Sequence, residues 1–452
     1  MIFPPSGRLG HRASCKVSVR LVVFAVAACA LCITVYEWNT FKQVTAESKR
    51  WTTVSMPSLT TRTSDPSNPK RELRAVQILR RKIASKFNKT SVEIKRKILR
   101  ERLCGTEWQE EYAQLHKDIL EGRKPPRFLV FYCGGVDHGC GGYGNRIGGI
   151  TSLLYLAVLT ERAFIIHWHS SVSLENYFLP RSIRWNLSIE KLRDFKKRAH
   201  FWGRGNHVDV NGESQEDPGL NAKDFQRWIQ DTDLNAYLSY PVEMVTSQWY
   251  FAQSVRMNRF LKRRNKAQFG IKERGHRYSL VGCASDYLFS RTSYIKQLLT
   301  RTKTSLGFDK KPTIGIHFRT GDYALLGRKA KPKSLRVAEK FLECAKKLEK
   351  VFLKSTLGLK SADVNWFLAT DSYDIKAFVS KRYPKVVYQE VKLEHISKTE
   401  PSANGLEGVI LDHLLLSESD AIILSNSSFS QSALGLGFHS LRVSTFGTNC
   451  QY

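Results

Sequence analysis

Four short stretches hold residue types whose spacing suits them to chemistry on a phosphate-bearing ligand. The most pointed is Ile314-Gly-Ile-His317-Phe-Arg319-Thr-Gly-Asp322. In a strand, His317 and Arg319 fall on one face, at the C-terminal end where open α/β sheets bind ligands. A guanidinium there clamps a phosphate through two parallel N–H bonds and stays charged at any ordinary pH. Asp322 either holds Arg319 as an ion pair or meets a substrate hydroxyl. The second stretch is Phe367-Leu-Ala-Thr370-Asp371-Ser372. Its carboxylate can accept from a purine edge or a ribose hydroxyl, and the same residue types also make an ordinary helix N-cap. The third is Ser425-Asn-Ser427-Ser428-Phe429-Ser, whose hydroxyls and amides at a strand-to-helix turn can cradle a diphosphate or simply form the turn. The fourth is Gly139-Cys-Gly-Gly-Tyr-Gly144-Asn145-Arg146. Here glycine lets backbone amides approach a ligand and the following helix N-terminus favours an anion. A tight packed turn is its plainer reading, and the Gly142, Gly144, Gly148 spacing is wrong for a dinucleotide fingerprint.

The elements that carry these stretches alternate between apolar runs and helical periods. Phe128–Tyr132, Ala163–His167, Thr313–Phe318, Trp366–Ala369, Val386–Tyr388, Ala421–Leu424 and Leu441–Ser444 read as strands. Helical spacing over Arg146–Thr160, Leu335–Leu348 and Gly408–Ser417 separates them. This cadence predicts parallel sheets and an α/β fold. Two βα domains are expected, over 125–300 and 301–452.

Upstream, Leu21–Tyr36 is an almost unbroken apolar run that reaches about 20 residues when extended back to Val17, enough to span a bilayer. Arg8, Arg12, Lys16 and Arg20 precede or flank it without an acid. That asymmetry predicts a cytoplasmic tail over 1–16, an uncleaved anchor over 17–36 in the lipid bilayer, and everything after it on the far side, a type II topology in an early secretory or Golgi membrane. Residues 37–124 read as a stem, polar and Pro-punctuated at first, then basic and helical. Thr90-Ser-Val-Glu93 is a capping box that opens a helix with Ile94, Ile98 and Leu99 expected inward. The stem reads as a solvated basic stalk or as a segment through which two copies pair. With 71 Lys and Arg against 41 Asp and Glu, the chain carries a net charge of +30. An anionic partner follows from that. Nucleic acid is not the expected one, because the far side of a secretory membrane holds little of it. Six of the nine cysteines lie beyond the apolar run, namely Cys104, Cys133, Cys140, Cys283, Cys344 and Cys450. They allow three disulfides, and Cys133 and Cys140 are close enough to clip one loop. Asn88 and Asn186 open usable sequons; Asn426 opens another, expected in a buried turn.

Taken in order, the strand-end motifs resemble the donor-site motifs of the fucosyltransferase superfamily, the α1,2-, α1,6- and protein O-fucosyltransferases. His317-Phe-Arg319-Thr-Gly-Asp322 is similar to its His-x-Arg-x-x-Asp peptide, Ala369-Thr-Asp371-Ser372 to its second motif and Ser427-Ser428-Phe429 to its third. Gly142-Tyr-Gly144-Asn145-Arg146 resembles the N-terminal glycine loop. The resemblance covers roughly 128–447. It implies a GT-B fold, two Rossmann-like domains facing a cleft, and inverting, metal-independent transfer of fucose from GDP-fucose to a glycan or glycoprotein hydroxyl, with no other cofactor. It implies that Arg319 holds the β-phosphate, that His317 and Asp371 (with Ser372 beside it) hold the guanosine, and that Ser427, Ser428 and Phe429 hold the diphosphate, with Gly144 and Arg146 lining the donor side. Arg319, Asn145 and Asp322 are the expected catalytic residues. Asp137 and Glu175 are further candidates for the base. Thr320 stands where the α1,2 and α1,6 patterns carry a second arginine, which leaves the subgroup open. A metal-dependent transferase would need Asp-x-Asp closing a strand, and Asp231-Thr-Asp233 follows no clean buried run. A luminal lectin-like membrane protein without catalysis, or a transferase using another nucleotide sugar, is the alternative reading.

Overall fold

The computed structural model describes residues 92–134, 139–168, 172–202, 207–208, 214–215, 222–269, 278–321, 332–355, 363–391, 394, 396, 402–439, 442–446 and 449–451. The expected anchor over 17–36, most of the stem, Asn88, Asp137 and Asp322 lie outside them. Among the described residues no helix is long and apolar enough to cross a membrane.

Helix α1 spans 92–104 and α2 spans Glu107–Leu120. A first parallel sheet contains β1 (Phe128–Cys133), β2 (Ala163–Trp168), β3 (Lys197–Trp202) and β4 (Val242–Ser247), in the order β2-β1-β4-β3. Between β1 and β2 runs α3 (Tyr143–Thr160), in which every residue but Asn145 is buried. After β4 come α4 (Ala252–Met257), α5 (Lys262–Phe269) and α6 (Leu280–Leu288).

The second sheet is built from β5 (Thr313–Phe318), β6 (Asn365–Thr370), β7 (Val386–Val387), β8 (Ala421–Leu424), β9 (Arg442–Phe446) and β10 (Asn449–Gln451). Its order is β7-β6-β5-β8-β9-β10, parallel except for the β9–β10 pair. The helices α7 (Pro332–Ser355), α8 (Tyr373–Arg382), α9 (Ala403–Glu418) and α10 (Ser428–Leu436) connect these strands. β5, β6 and β8 are buried along their whole length. That is why their sequences read as apolar runs rather than as alternation.

The strand order reverses between β5 and β8. In doubly wound sheets the C-terminal ends at such a switch point leave a crevice for ligand. Alternation holds at the end of β5: Phe318 packs on Phe341 of α7 at 4.9 Å between ring centres, and His317 faces the other way, onto Phe429 of α10 at 5.0 Å.

Each sheet has a cluster of its own on one face, and a larger one joins both halves. One cluster of buried residues takes in Phe131 of β1, Leu154 of α3, Val281 of α6, Leu411 of α9, Leu424 of β8 and Leu434 of α10. Three disulfides reinforce the unit. Cys104–Cys283 ties the end of α1 to α6, Cys133–Cys140 closes the loop after β1, and Cys344–Cys450 ties α7 to β10.

Two expectations change. Ile94 and Ile98 are exposed. The inward stripe of α1 is instead Val92, Leu99 and Leu103, because Arg96 sits within it and donates to the Ser419 carbonyl, while Cys104 is bonded to α6. Asn426 is exposed, so the sequon it opens is not in a buried turn.

Candidate functional site

The crevice at the switch point is a cleft with about 660 Å³ of empty space, open to solvent. Gly142 and Tyr143 line it from the first half of the fold. His317, Arg319, Asp371, Asp412 and Phe429 line it from the second. Glu394 and Ile396 form part of the rim.

Each residue's position follows from its element. His317 is the last but one residue of β5 and is buried, with Nδ1 2.7 Å from the Ser425 hydroxyl just past β8. One hydrogen bond therefore spans the switch point. Burial, then the Arg319 charge, pushes the imidazole pKa down to about 3, with Asp371 opposing. The ring is neutral at any physiological pH. Arg319, the next residue on that face, is exposed and reaches the mouth of the cleft.

Asp371 follows β6 and sets the turn that presents Arg319. Its Oδ1 accepts from the Thr320 amide at 2.7 Å and the Thr320 hydroxyl at 3.0 Å, and its Oδ2 accepts from the Gly321 amide at 3.2 Å. Gly321 has φ 93°, a left-handed conformation that suits glycine. The carboxylate expected to hold guanosine is thus engaged by the turn, and Thr320, standing at the place of a second arginine, supplies two of the three donors. Ser372, buried, caps α8 by accepting from the Ile375 amide. Ser427 caps α10 in the same way, accepting from the Phe429 amide. The N-terminal ends of α8 and α10 therefore both lie at the C-terminal edge of the sheet, the ends that favour an anion.

The glycine loop divides its labour. Gly142 and Tyr143 reach the cleft. Gly144 is where α3 meets α10: a Cβ there would lie 2.4 Å from the Phe429 nitrogen and 2.6 Å from the Ser428 carbonyl carbon. Arg146 is buried. It donates to the carbonyls of Gly141 at 3.1 Å and Ile396 at 2.8 Å, and its guanidinium lies 4.6 Å from the Trp168 ring centre. Its charge ties the loop to the cleft rim, where a donor-facing role was expected. Asn145 is half-buried beside Gly141, outside the cleft lining. Ser428 is also outside it. Glu175 lies in the turn after Ser173 and is not among the residues lining the cleft.

The sequence reading missed Asp412. This residue of α9 is buried, lines the cleft, and accepts from the Gln389 side-chain amide. Burial raises its pKa to about 6, with Lys376 and the Gln389 bond opposing. Beside it, His413 is held below its ordinary range at about 3 by burial, then by His317, with Nε2 2.8 Å from the Ser432 hydroxyl. The available signal was in α9 itself: a carboxylate and an imidazole interrupt the otherwise apolar Val409–Leu416.

Asp231 and Asp233 fall at a helix end and a helix cap, not on a strand; Asp233 accepts from the Asn235 and Ala236 amides. The His167 ring stacks on Tyr132 at 5.0 Å. Among the described residues no group of three or more His, Cys, Asp or Glu side chains is gathered as metal ligands are.

Residues 276–432, from before α6 into α10, match the family model for α-(1,6)-fucosyltransferase N- and catalytic domains. Among solved structures, the chain is similar to a mutant of FUT1 from Arabidopsis thaliana in complex with GDP, with 14% identity over 78% of each chain and a TM-score of 0.48. It is similar to the α-1,6-fucosyltransferase NodZ co-crystallised with GDP, with 15% identity over 73% of this chain and 98% of that one and a TM-score of 0.44. POFUT1 in complex with GDP-fucose gives 14% identity over 72% and 99%, with a TM-score of 0.38. No curated protein matches the chain by sequence.

Proposed function

We propose, from the premise that residues 276–432 make this chain a glycosyltransferase of the fucosyltransferase superfamily, that it moves fucose from GDP-fucose to a hydroxyl of a glycan or glycoprotein, with inversion and without a metal ion. The observation that carries this reading is the composition of the switch-point cleft. The forked cation of Arg319, the first-turn neighbours Asp371 of α8 and Phe429 of α10, and the buried carboxylate of Asp412 line it together. That set offers a cation and helix N-termini to a diphosphate and an acceptor carboxylate to a base.

Arg319 and the N-terminus of α10 take the diphosphate. As the sugar leaves through an oxocarbenium-like state, charge grows on the β-phosphate, and donors fixed at that oxygen stabilise the transition state beyond the ground state. Asp412 accepts from the donor N–H groups of the guanine edge, and the neutral His317 packs beside it. Asp371 is a positioning residue: it fixes the turn from which Arg319 extends. The acceptor hydroxyl attacks the anomeric carbon from the face opposite the diphosphate and loses its proton to a carboxylate or to water. Three disulfides fit an oxidising compartment. Together with the flanked apolar run at 17–36, they support a single-pass type II Golgi membrane protein.

The test is binding of GDP-fucose or GDP to the full chain, read as a thermal shift and repeated across pH. Asp412 must be ionised to accept from guanine, and it carries a proton below about pH 6. Donor affinity should therefore hold from pH 8 to 6.5 and fall by about tenfold by pH 5, because ligand then competes with that proton. Asp412→Asn should bind weakly and lose the pH dependence. A GDP affinity that is flat across this range removes Asp412 from the site. No shift with any guanine nucleotide favours the lectin-like alternative.

Asp371→Asn separates positioning from structure. The substitution keeps one acceptor oxygen but sets an amide N–H against the Gly321 N–H or the Thr320 donors. Misplacing Arg319 by an ångström should lower kcat on the order of 100-fold with little change in Tm. A loss confined to KM would show that the carboxylate touches the donor directly.

A further inference from the structure

Lys376 of α8 does not line the cleft, and its position is unfavourable twice over. It is 4% exposed, so its ammonium is largely out of water. It is also the fourth residue of its helix, near the end that disfavours a cation. Burial lowers its pKa from the ordinary lysine value, and of the two charges opposing that shift Asp412 is the larger and Glu390 the smaller. The ring centres of Tyr388 and Tyr373 stand 5.3 and 5.9 Å from Nζ, which offsets part of the cost. Nζ donates to the Gln389 carbonyl at 2.7 Å. A bond to one neutral carbonyl does not account for a charge placed there.

Gln389 makes the connection. It lies two residues past β7, at the C-terminal edge of the second sheet, and is buried. Its backbone carbonyl accepts from Lys376, and its side-chain amide donates to Oδ1 of Asp412. Three buried residues from three separate stretches, α8, the segment after β7, and α9, thus form one line that ends on a carboxylate lining the cleft. The segment itself has little room to slide. Val391, two residues further on, packs so closely on α9 that a Cβ added at Gly408 would lie 3.0 Å from its Cβ.

We infer that Lys376 and Gln389 are positioning residues of the donor site: Gln389 fixes the plane of the Asp412 carboxylate, Lys376 supplies its buried counter-charge, and together they set the preference for guanine over other bases. The inference rests on the reading that Asp412 accepts from guanine. Guanine offers such a carboxylate two donors, its ring N–H and its amino group, whereas adenine presents a lone pair and a C–H at the same edge. A carboxylate that is turned out of plane, or that carries a proton, loses this distinction.

Calorimetric titration of the full chain with GDP and with ADP, from pH 8 to pH 5, tests it. Lys376→Met keeps the apolar stem between the two tyrosines and removes the charge. It should bind GDP a few-fold more weakly at pH 8, and its loss of affinity on acidification should set in about one pH unit above the parent's. The sign follows from the counter-charge: without the ammonium, the Asp412 carboxylate takes up its proton at a higher pH. The other titratable groups around Asp412, namely Tyr143, His317, Arg319, Asp371, Glu390, Glu394 and His413, are the same in both proteins, so the difference isolates Lys376. Gln389→Met removes the tether and leaves the lysine. It should weaken GDP on the order of tenfold at pH 8 and ADP little. An acid limb that does not move in Lys376→Met overturns the inference, as does equal weakening of GDP and ADP in Gln389→Met, which is what a merely structural role gives. If Lys376→Met does not fold, the GDP-to-ADP ratio of Gln389→Met decides alone. A parent whose GDP affinity is flat with pH, together with Asp412→Asn binding as the parent does, instead removes Asp412 from the base and takes the premise with it.

Discussion

Arg319→Lys is expected to lower GDP release from GDP-fucose, with or without acceptor, by about 100- to 1,000-fold, the usual loss when one oriented donor is removed from developing charge. It should leave Tm unchanged. Both halves follow from where the side chain sits. Arg319 is exposed at the mouth of the cleft, one residue beyond a fully buried strand. The backbone amides of Thr320 and Gly321 are held by Asp371. No core packing is lost on substitution. Lysine keeps the positive charge but presents a point cation on a flexible stem, without the planar fork that grips two phosphate oxygens at once. Long-range attraction to the diphosphate survives, so the loss should appear in kcat more than in KM. The assay belongs in EDTA, since the proposed chemistry draws on no metal. Near-normal turnover would falsify the donor-site assignment, and activity restored by manganese alone would move the reading to a metal-dependent transferase.

The strand framework was legible because burial writes itself into the sequence. β5 and β8 fall on the residues read as apolar runs, Thr313–Phe318 and Ala421–Leu424. Helices read from periodicity extended further than expected: α3 begins at Tyr143, not Arg146, because glycines at its start are helical for a packing reason that propensity does not see. At the site, His317 and Arg319 stood out because polar residues at the C-terminal end of a buried strand have few structural duties. The partners were not legible. Asp371 carries the right chemistry for a ligand, and only the fold shows that the Thr320–Gly321 turn claims it. Arg146 looked like a mouth residue and is buried against Trp168. Asp412 lies 93 positions along the chain from Arg319: α9 crosses back over the sheet and delivers it to the cleft, a juxtaposition that no helical or strand period spans.

Gly144→Ala tests the same long-range fit from the other half of the fold, and it should be far more damaging than one methyl group suggests. Within a helix, alanine for glycine ordinarily gains about 0.5–1 kcal/mol. Here the added Cβ would sit 2.4 Å from the Phe429 nitrogen, 2.5 Å from its Cα and 2.6 Å from the Ser428 carbonyl carbon. These are backbone atoms at the first turn of α10, and no rotamer change moves them aside. Overpacking of this kind costs about 1–3 kcal/mol and sometimes more, so α3 and α10 must separate. Because Gly144 adjoins Tyr143 in the cleft wall and Phe429 forms another part of it, the displacement falls on the site itself. The expected result is a fall in Tm on the order of 5 °C, together with a loss of transfer on the order of 100-fold from the shifted α10 N-terminus. Gly148→Ala, one helical turn further along α3, is the control. Its Cβ would meet the Tyr250 Cβ at 3.1 Å and the Tyr250 Cα at 3.6 Å, a milder contact that the segment at Tyr250 relieves by giving way a few tenths of an ångström. That variant should fold and turn over within a few-fold of the parent. If the two variants behave alike, the damage comes from the helix and not from the α3–α10 approach, and the glycine loop holds no special place in building the donor site.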